Sequence, residues 1–112
     1  MIEEIIFSTI VANMMVTKFH ENKIIERMNQ AETLEEKKLI VRETEPYAFE
    51  IADEVFKPDE EIGEEGIQAK KNLIKTLICS NYQFFGLPTP FEEGETFEDI
   101  EFRSGLLKDF LQ

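Results

Sequence analysis

The sequence predicts an all-α fold, a small single-domain bundle of four or five helices spanning residues 1–112. Three observations carry this expectation. Apolar residues recur at the i, i+3, i+4, i+7 spacing of a helix face, as in Ala48, Ile51, Ala52, Val55 and Phe56. Helix punctuation falls between such stretches: Thr33 and Thr96 each precede an acid by three residues, Pro46 suits a first helical turn, and Gly86 suits a C-cap. The 112 residues, 42% of them hydrophobic, suffice for one core and offer no linker long enough to divide the chain.

Each element follows in order. Residues 2–29 read as one long helix, or as two with a bend near His20 and Asn22. Ile2, Ile5, Ile6, Ile10 and Met14 form a stripe that Phe7, Val11 and Met15 widen. A helix apolar over most of its circumference belongs at the centre of a bundle. Ser8, Thr9 and Asn13 are its polar remainder. Thr33-Leu34-Glu35-Glu36 is a capping box, with the Glu36 carboxylate expected to return to the Thr33 amide, and it opens a short helix to about Glu43. Pro46 opens the next helix, whose outer side carries Glu50, Asp53 and Glu54; Lys57-Pro58 closes it. Pro58 to Gly66 reads as an acidic loop with two glycines. A helix over about 66–85 then buries Ile67, Leu73, Ile74, Leu77, Ile78 and Phe84 or Phe85, and stops at Gly86 with Pro88 beyond. In the last stretch Phe97, Ile100, Leu107 and Leu111 share one helix face. Residues Asp99 to Arg103 also alternate like a strand, and Gly105 weakens a continuous helix; helix is the favoured expectation.

The charge excludes several functions. Acids outnumber bases 24 to 12, for a net charge of −12. Phosphate affinity comes from Lys and Arg, so direct nucleic-acid binding is not expected. One Cys removes an internal disulfide framework, and no Cys/His cluster offers a zinc site. The uncharged run that begins at Ile5 ends before Lys18, too short to span a bilayer, and it follows Glu3 and Glu4 rather than a basic segment. A soluble, cytoplasmic protein without membrane contact is expected. The acid is also concentrated. Residues 43–65 hold ten acids and only Lys57; residues 92–101 hold six acids and no base; Lys70, Lys71 and Lys75 lie in a segment without acids. Such blocks create a directional field.

Little catalytic chemistry is present. His20 is the only imidazole and Cys79 the only thiol; a helix-end histidine and a packed thiol account for them. Glu50-Ile51-Ala52-Asp53 sets two carboxylates one turn apart, and Glu60-Glu61-Ile62-Gly63-Glu64 adds three. These runs resemble the ExxD and EExxE motifs of MazG-type all-α nucleotide pyrophosphohydrolases, in reversed order. The resemblance implies a magnesium-dependent hydrolase of nucleoside triphosphates as one alternative. A second alternative is a nucleotide- or small-molecule-binding helical oligomer that uses Lys70, Lys71 and Lys75. No cofactor or metal is expected in the favoured view.

That favoured view treats the acids as a surface. Carboxylates three or four residues apart on a helix lie about 5–6 Å from one another, a separation similar to that of phosphates along a nucleic-acid strand. Glu50, Asp53 and Glu54, extended by Glu43 and Glu45 and by Asp59, Glu60, Glu61, Glu64 and Glu65, can present such a row to a basic protein. The acidic, aromatic-rich segment 88–103 adds Glu92, Glu93, Glu95, Glu98, Asp99 and Glu101, interleaved with Phe91, Phe97 and Phe102 as apolar anchors. Six of the twelve aromatic residues fall in the last 29 positions, more than a solvating tail needs. The competing structural account is that the acids solvate ordinary loops and the Phe side chains close the core. In size, charge and class the chain resembles acidic bacteriocin and contact-inhibition immunity proteins, and phage- or plasmid-borne antagonists of defence enzymes such as anti-CRISPR proteins. The resemblance implies a non-catalytic inhibitor of a basic, nucleic-acid-acting protein. The long apolar N-terminal helix also allows a homodimer.

Overall fold

The computed structural model describes residues 2–111, with side chains through Asp109. Six helical segments follow one another, with no strand among the described residues: α1 (Ile2–Glu21), α2 (Ile24–Gln30), α3 (Leu34–Arg42), α4 (Glu45–Val55), α5 (Asp59–Phe84) and α6 (Phe97–Leu111). The fold is an all-α bundle. Segments α1 and α2 are the two limbs of the bent N-terminal helix, so five helices result when they are taken together. The bend falls at Lys23, which is left-handed (φ 54°, ψ 40°). The Asn22 side-chain amide helps to end α1 by donating to the Lys18 carbonyl at 2.8 Å.

The punctuation residues act as their chemistry dictates. Thr33 Oγ1 accepts the Glu36 amide at 3.1 Å, but the Glu36 carboxylate accepts the Glu32 amide at 2.9 Å, one residue earlier than a standard box. Thr96 and Asp99 form a full reciprocal box, with bonds of 3.1 and 2.9 Å. Those bonds hold the Asp99 carboxyl below its ordinary range. With that start, α6 runs through Gly105, which overturns the strand alternative at 99–103. The side chain of Leu111, expected on its apolar face, lies outside the described residues. At the end of α5 the Leu87 amide reaches back to the Tyr82 carbonyl at 3.0 Å, closing the helix around Gly86.

Helix α4 is the hub and packs against α1, α5 and α6. Ala48, Ile51 and Ala52 are fully buried in it, and two small side chains let neighbouring helices approach closely. One core cluster centres on Val41, Ala48, Ala52, Ile78 and Ile100; the other joins Val11, Met15, Phe19, Ile24 and Ile51. Ile40, Leu73, Leu77 and Phe85 pack against both, so the two clusters are continuous.

Two expectations need correction. Helix α1 is not central: only Val11, Met15 and Phe19, all in its second half, are buried, whereas Ile2, Ile5, Ile6, Phe7 and Ile10 are exposed. The cause is length. A helix of 20 residues is about 30 Å long, so one packed by its second half against the 11 residues of α4 outruns its neighbour. Residues 58–66 are not a loop either. They form the first turn of α5, a break at Gly63 (φ 68°, ψ −175°), and the resumed helix. Phe84 is exposed and Phe85 turns inward, stacking on Phe19 at 6.0 Å between ring centroids. No helix of the described residues is long and apolar enough to cross a membrane.

Candidate functional site

Several of the candidate acids face inward or are paired at home. Glu45 is 1% exposed. Its carboxylate accepts the Tyr82 hydroxyl at 2.7 Å and the Arg103 guanidinium at 2.8 and 2.7 Å, a forked geometry that favours Arg. Arg103 also pairs with Glu95, which lies 3.9 Å from Arg42. The Glu45 carboxylate holds Arg103 above its ordinary pKa, and burial followed by the adjacent Glu45 charge pushes the Tyr82 phenol up. Glu45 is therefore a structural residue at the seam of α4, α5 and α6. Its burial follows from its place on the α4 side that also carries Ala48 and Ala52. Beside it, the buried Asn81 amide donates to Thr44 Oγ1 at 3.1 Å. Sequence reasoning missed this network; Arg103, the lone base directly after the 92–101 acids, is the one signal for it.

Other acids are neutralised nearer the surface. Glu43 pairs with Arg27, Glu50 with Lys18 at 2.8 Å, and Glu93 with Lys38 at 3.6 Å. Lys70 lies 2.7 Å from Asp53 and 3.2 Å from Asp59. Glu92 closes the turn over Thr89, accepting its amide at 2.8 Å. The basic patch is dispersed too: Lys71 lies over the Phe97 ring at 5.7 Å and Lys75 over Phe91 at 4.9 Å. Phe91 and Phe97 are half-buried and pack on the core, Phe97 against Phe49 at 5.7 Å. They close the bundle and are not free anchors. Phe102, 69% exposed, is free.

Within 43–65 five acids remain exposed with no base within ion-pair distance among the described residues, Glu54, Glu60, Glu61, Glu64 and Glu65; in 92–101 Glu98 and Glu101 are likewise exposed and unpaired. Lys70 ties Asp53 near the end of α4 to Asp59 at the start of α5, and so holds the chain ends that carry Glu54 and Glu60 together. Two glycines build the turn. The Gly63 backbone lies in a region essentially reserved for glycine, and a Cβ at Gly66 would overlap the Ile62 side chain. The chain can thus fold back after Ile62 and resume its helix at Glu64, where two acids favour the helix dipole. The second acidic segment meets the first at Arg103, shared by Glu45 and Glu95, and again where Glu50, Asp53 and Glu101 line a depression of about 190 Å³ between α4 and α6 together with Lys108. Glu98 and Asp99, the latter engaged in its cap, are exposed on the first turn of α6.

Metal-assisted hydrolysis lacks its constellation. Glu50 and Asp53 are bound to Lys18 and Lys70 rather than facing Glu60, Glu61 and Glu64. Among the described residues no three Asp, Glu, His or Cys side chains are grouped to hold a metal ion. Cys79 is half-buried, and burial pushes its thiol pKa up, away from the nucleophilic thiolate.

A second surface feature was not foreseen. A cleft of about 660 Å³ separates α1 from α5, with Phe7, Val11, Ala12, Met15, Val16 and Phe19 on one wall, Leu73, Leu77 and Phe84 on the other, and Ile25 of α2 at its edge. It exists because α1 packs on α4 and leaves this flank open. No family model, no curated protein and no solved structure matches the chain.

Proposed function

We propose that the chain is a non-catalytic inhibitor of the toxin-immunity or anti-defence kind, which binds and blocks a basic, nucleic-acid-acting protein in the cytoplasm. The observation that carries this is the acidic pole at the α4–α5 junction, where Glu54, Glu60, Glu61, Glu64 and Glu65 are exposed and have no basic partner among the described residues. Like charges crowded on one short turn repel each other, and a cationic surface relieves that repulsion. Glu101, exposed and unpaired beside Glu50 and Asp53, extends the field towards α6, and the exposed Phe102 next to it in the chain supplies an apolar contact. Close charge pairs at such an interface are worth about 1.5–7 kcal/mol in coupling, against about 1 kcal/mol or less for pairs left exposed.

Competition against duplex DNA on a panel of basic nucleases and DNA-binding proteins tests the proposal. The chain is expected to displace DNA from at least one member, with an affinity that falls steeply as salt rises. The combined change Glu54→Lys, Glu61→Lys and Glu65→Lys is expected to abolish displacement while circular dichroism stays helical. Displacement unchanged by those reversals would reject the acidic pole as the binding surface.

A further inference from the structure

We infer that two copies of this chain pair through α1, the projecting half of each helix lying in the apolar cleft of the other. The first support is area. Ile2 and Ile5 are 75% and 67% exposed, and Ile6, Phe7 and Ile10 follow. Positions 2, 5, 6, 7 and 10 point around much of the helix, and a helix apolar on all sides is one that proteins enclose. With Val16 and Phe84 at the cleft, also exposed, this amounts to several hundred Å² of apolar surface, on the order of the ~800 Å² that each partner of a stable complex buries.

The second support is fit. The α1 wall of the cleft lies mainly along Val11–His20, and the projection is Ile2–Ile10, so the two halves of α1 match in length. Antiparallel pairing about a two-fold axis near Ile10 and Val11 sets Ile5 of one copy opposite Val16 of the other, two exposed residues on the same face of α1. One operation fills both clefts, as an isologous interface requires. Ser8 and Ala12, on the cleft side, are small enough to let the two helices approach closely. The third support is charge. Helix α1 is acidic at its start (Glu3, Glu4) and basic at its end (Lys18, His20), with Lys23 just beyond. In this register Glu3 of one copy comes opposite Lys18 of the other, with His20 two residues further along, and the two helix dipoles are opposed. This inference stands apart from the acidic pole and does not depend on it.

Sedimentation velocity on the full chain, from micromolar to submillimolar concentration, reads the outcome. Twice the 13.1 kDa chain mass is expected. Ile5→Glu and Val16→Glu, both at exposed positions, are expected to give monomers that keep the helical circular dichroism. The pair Glu3→Lys and Glu4→Lys is expected to weaken association by about tenfold, the effect of several exposed ion pairs. A monomer at every concentration would overturn the inference, as would a dimer that persists in Ile5→Glu. A monomer whose cleft is filled only by a different polypeptide would overturn it as well.

Discussion

The acidic segments 54–65 and 92–101 are similarly dense in charge and are engaged to different extents. In 92–101, Glu92 and Asp99 close turns over Thr89 and Thr96, Glu93 pairs with Lys38, and Glu95 joins Arg103 and Arg42, which leaves only Glu98 and Glu101 exposed without a partner among the described residues. In 54–65, only Asp59 has a base, Lys70, and five acids point into solvent unpaired. Local context makes the difference. An acid three residues after a threonine finds backbone amides at once, and Glu95 finds an arginine two helical turns along the chain. The acids around Gly63 have neither. Net charge alone therefore does not locate an interface; the acids already engaged in holding the fold must first be set aside.

The contrast can be broken most severely at the seam. Glu45→Ala strips the half-buried Arg103 of its forked partner, leaving it only Glu95, and the buried Tyr82 hydroxyl of its acceptor, and is expected to cost about 3 kcal/mol of stability, read from urea denaturation. Glu61→Ala, the matching change at the pole, should leave the midpoint almost unmoved. The seam also sets an alkaline limit. The Tyr82 pKa is raised in the fold above its ordinary 10.0, so above pH 10 the unfolded chain loses a proton that the folded chain retains. Stability is full below pH 10 and declines as pH rises towards the folded value; Tyr82→Phe removes that part of the decline. Tyr47, pushed up to about 12 chiefly by burial, adds a second decline between pH 10 and 12.

Smaller effects sharpen the comparison. Gly63→Ala forces a side chain into a backbone region that only glycine enters easily, and about 2 kcal/mol is expected, with loss of the fold-back that gathers the pole. Thr96→Ala removes the α6 cap at a cost of about 1 kcal/mol, visible as a lower thermal midpoint. Smallest of all, Glu60→Gln, Glu64→Gln and Glu65→Gln together are expected to shift stability by under ~0.5 kcal/mol, while weakening the binding of a cationic partner.

The helices were legible because capping and periodicity are local properties. Thr33, Pro46, Gly86 and Thr96 mark boundaries with side chains or backbone only a few residues away. The exposure of α1 was not legible, since periodicity reports that a helix is apolar and not how long its neighbour is. Glu45 looked like any other acid of its segment; the arginine that buries it lies 58 residues further on. Phe91 and Phe97 read as free anchors because the lysines that cover them sit on a different helix. Gly63 and Gly66 signalled a loop, and the fold instead uses them for a turn and a close contact inside one helix.

Titration of the isotope-labelled chain with an oligolysine peptide, followed by amide NMR shifts, tests the acidic pole most directly. The account predicts shifts concentrated at Glu54, Glu60, Glu61, Glu64 and Glu65, fading as salt is added and sparing Glu92 to Glu95. Shifts of equal size along both acidic segments, or centred on 92–95, would contradict it.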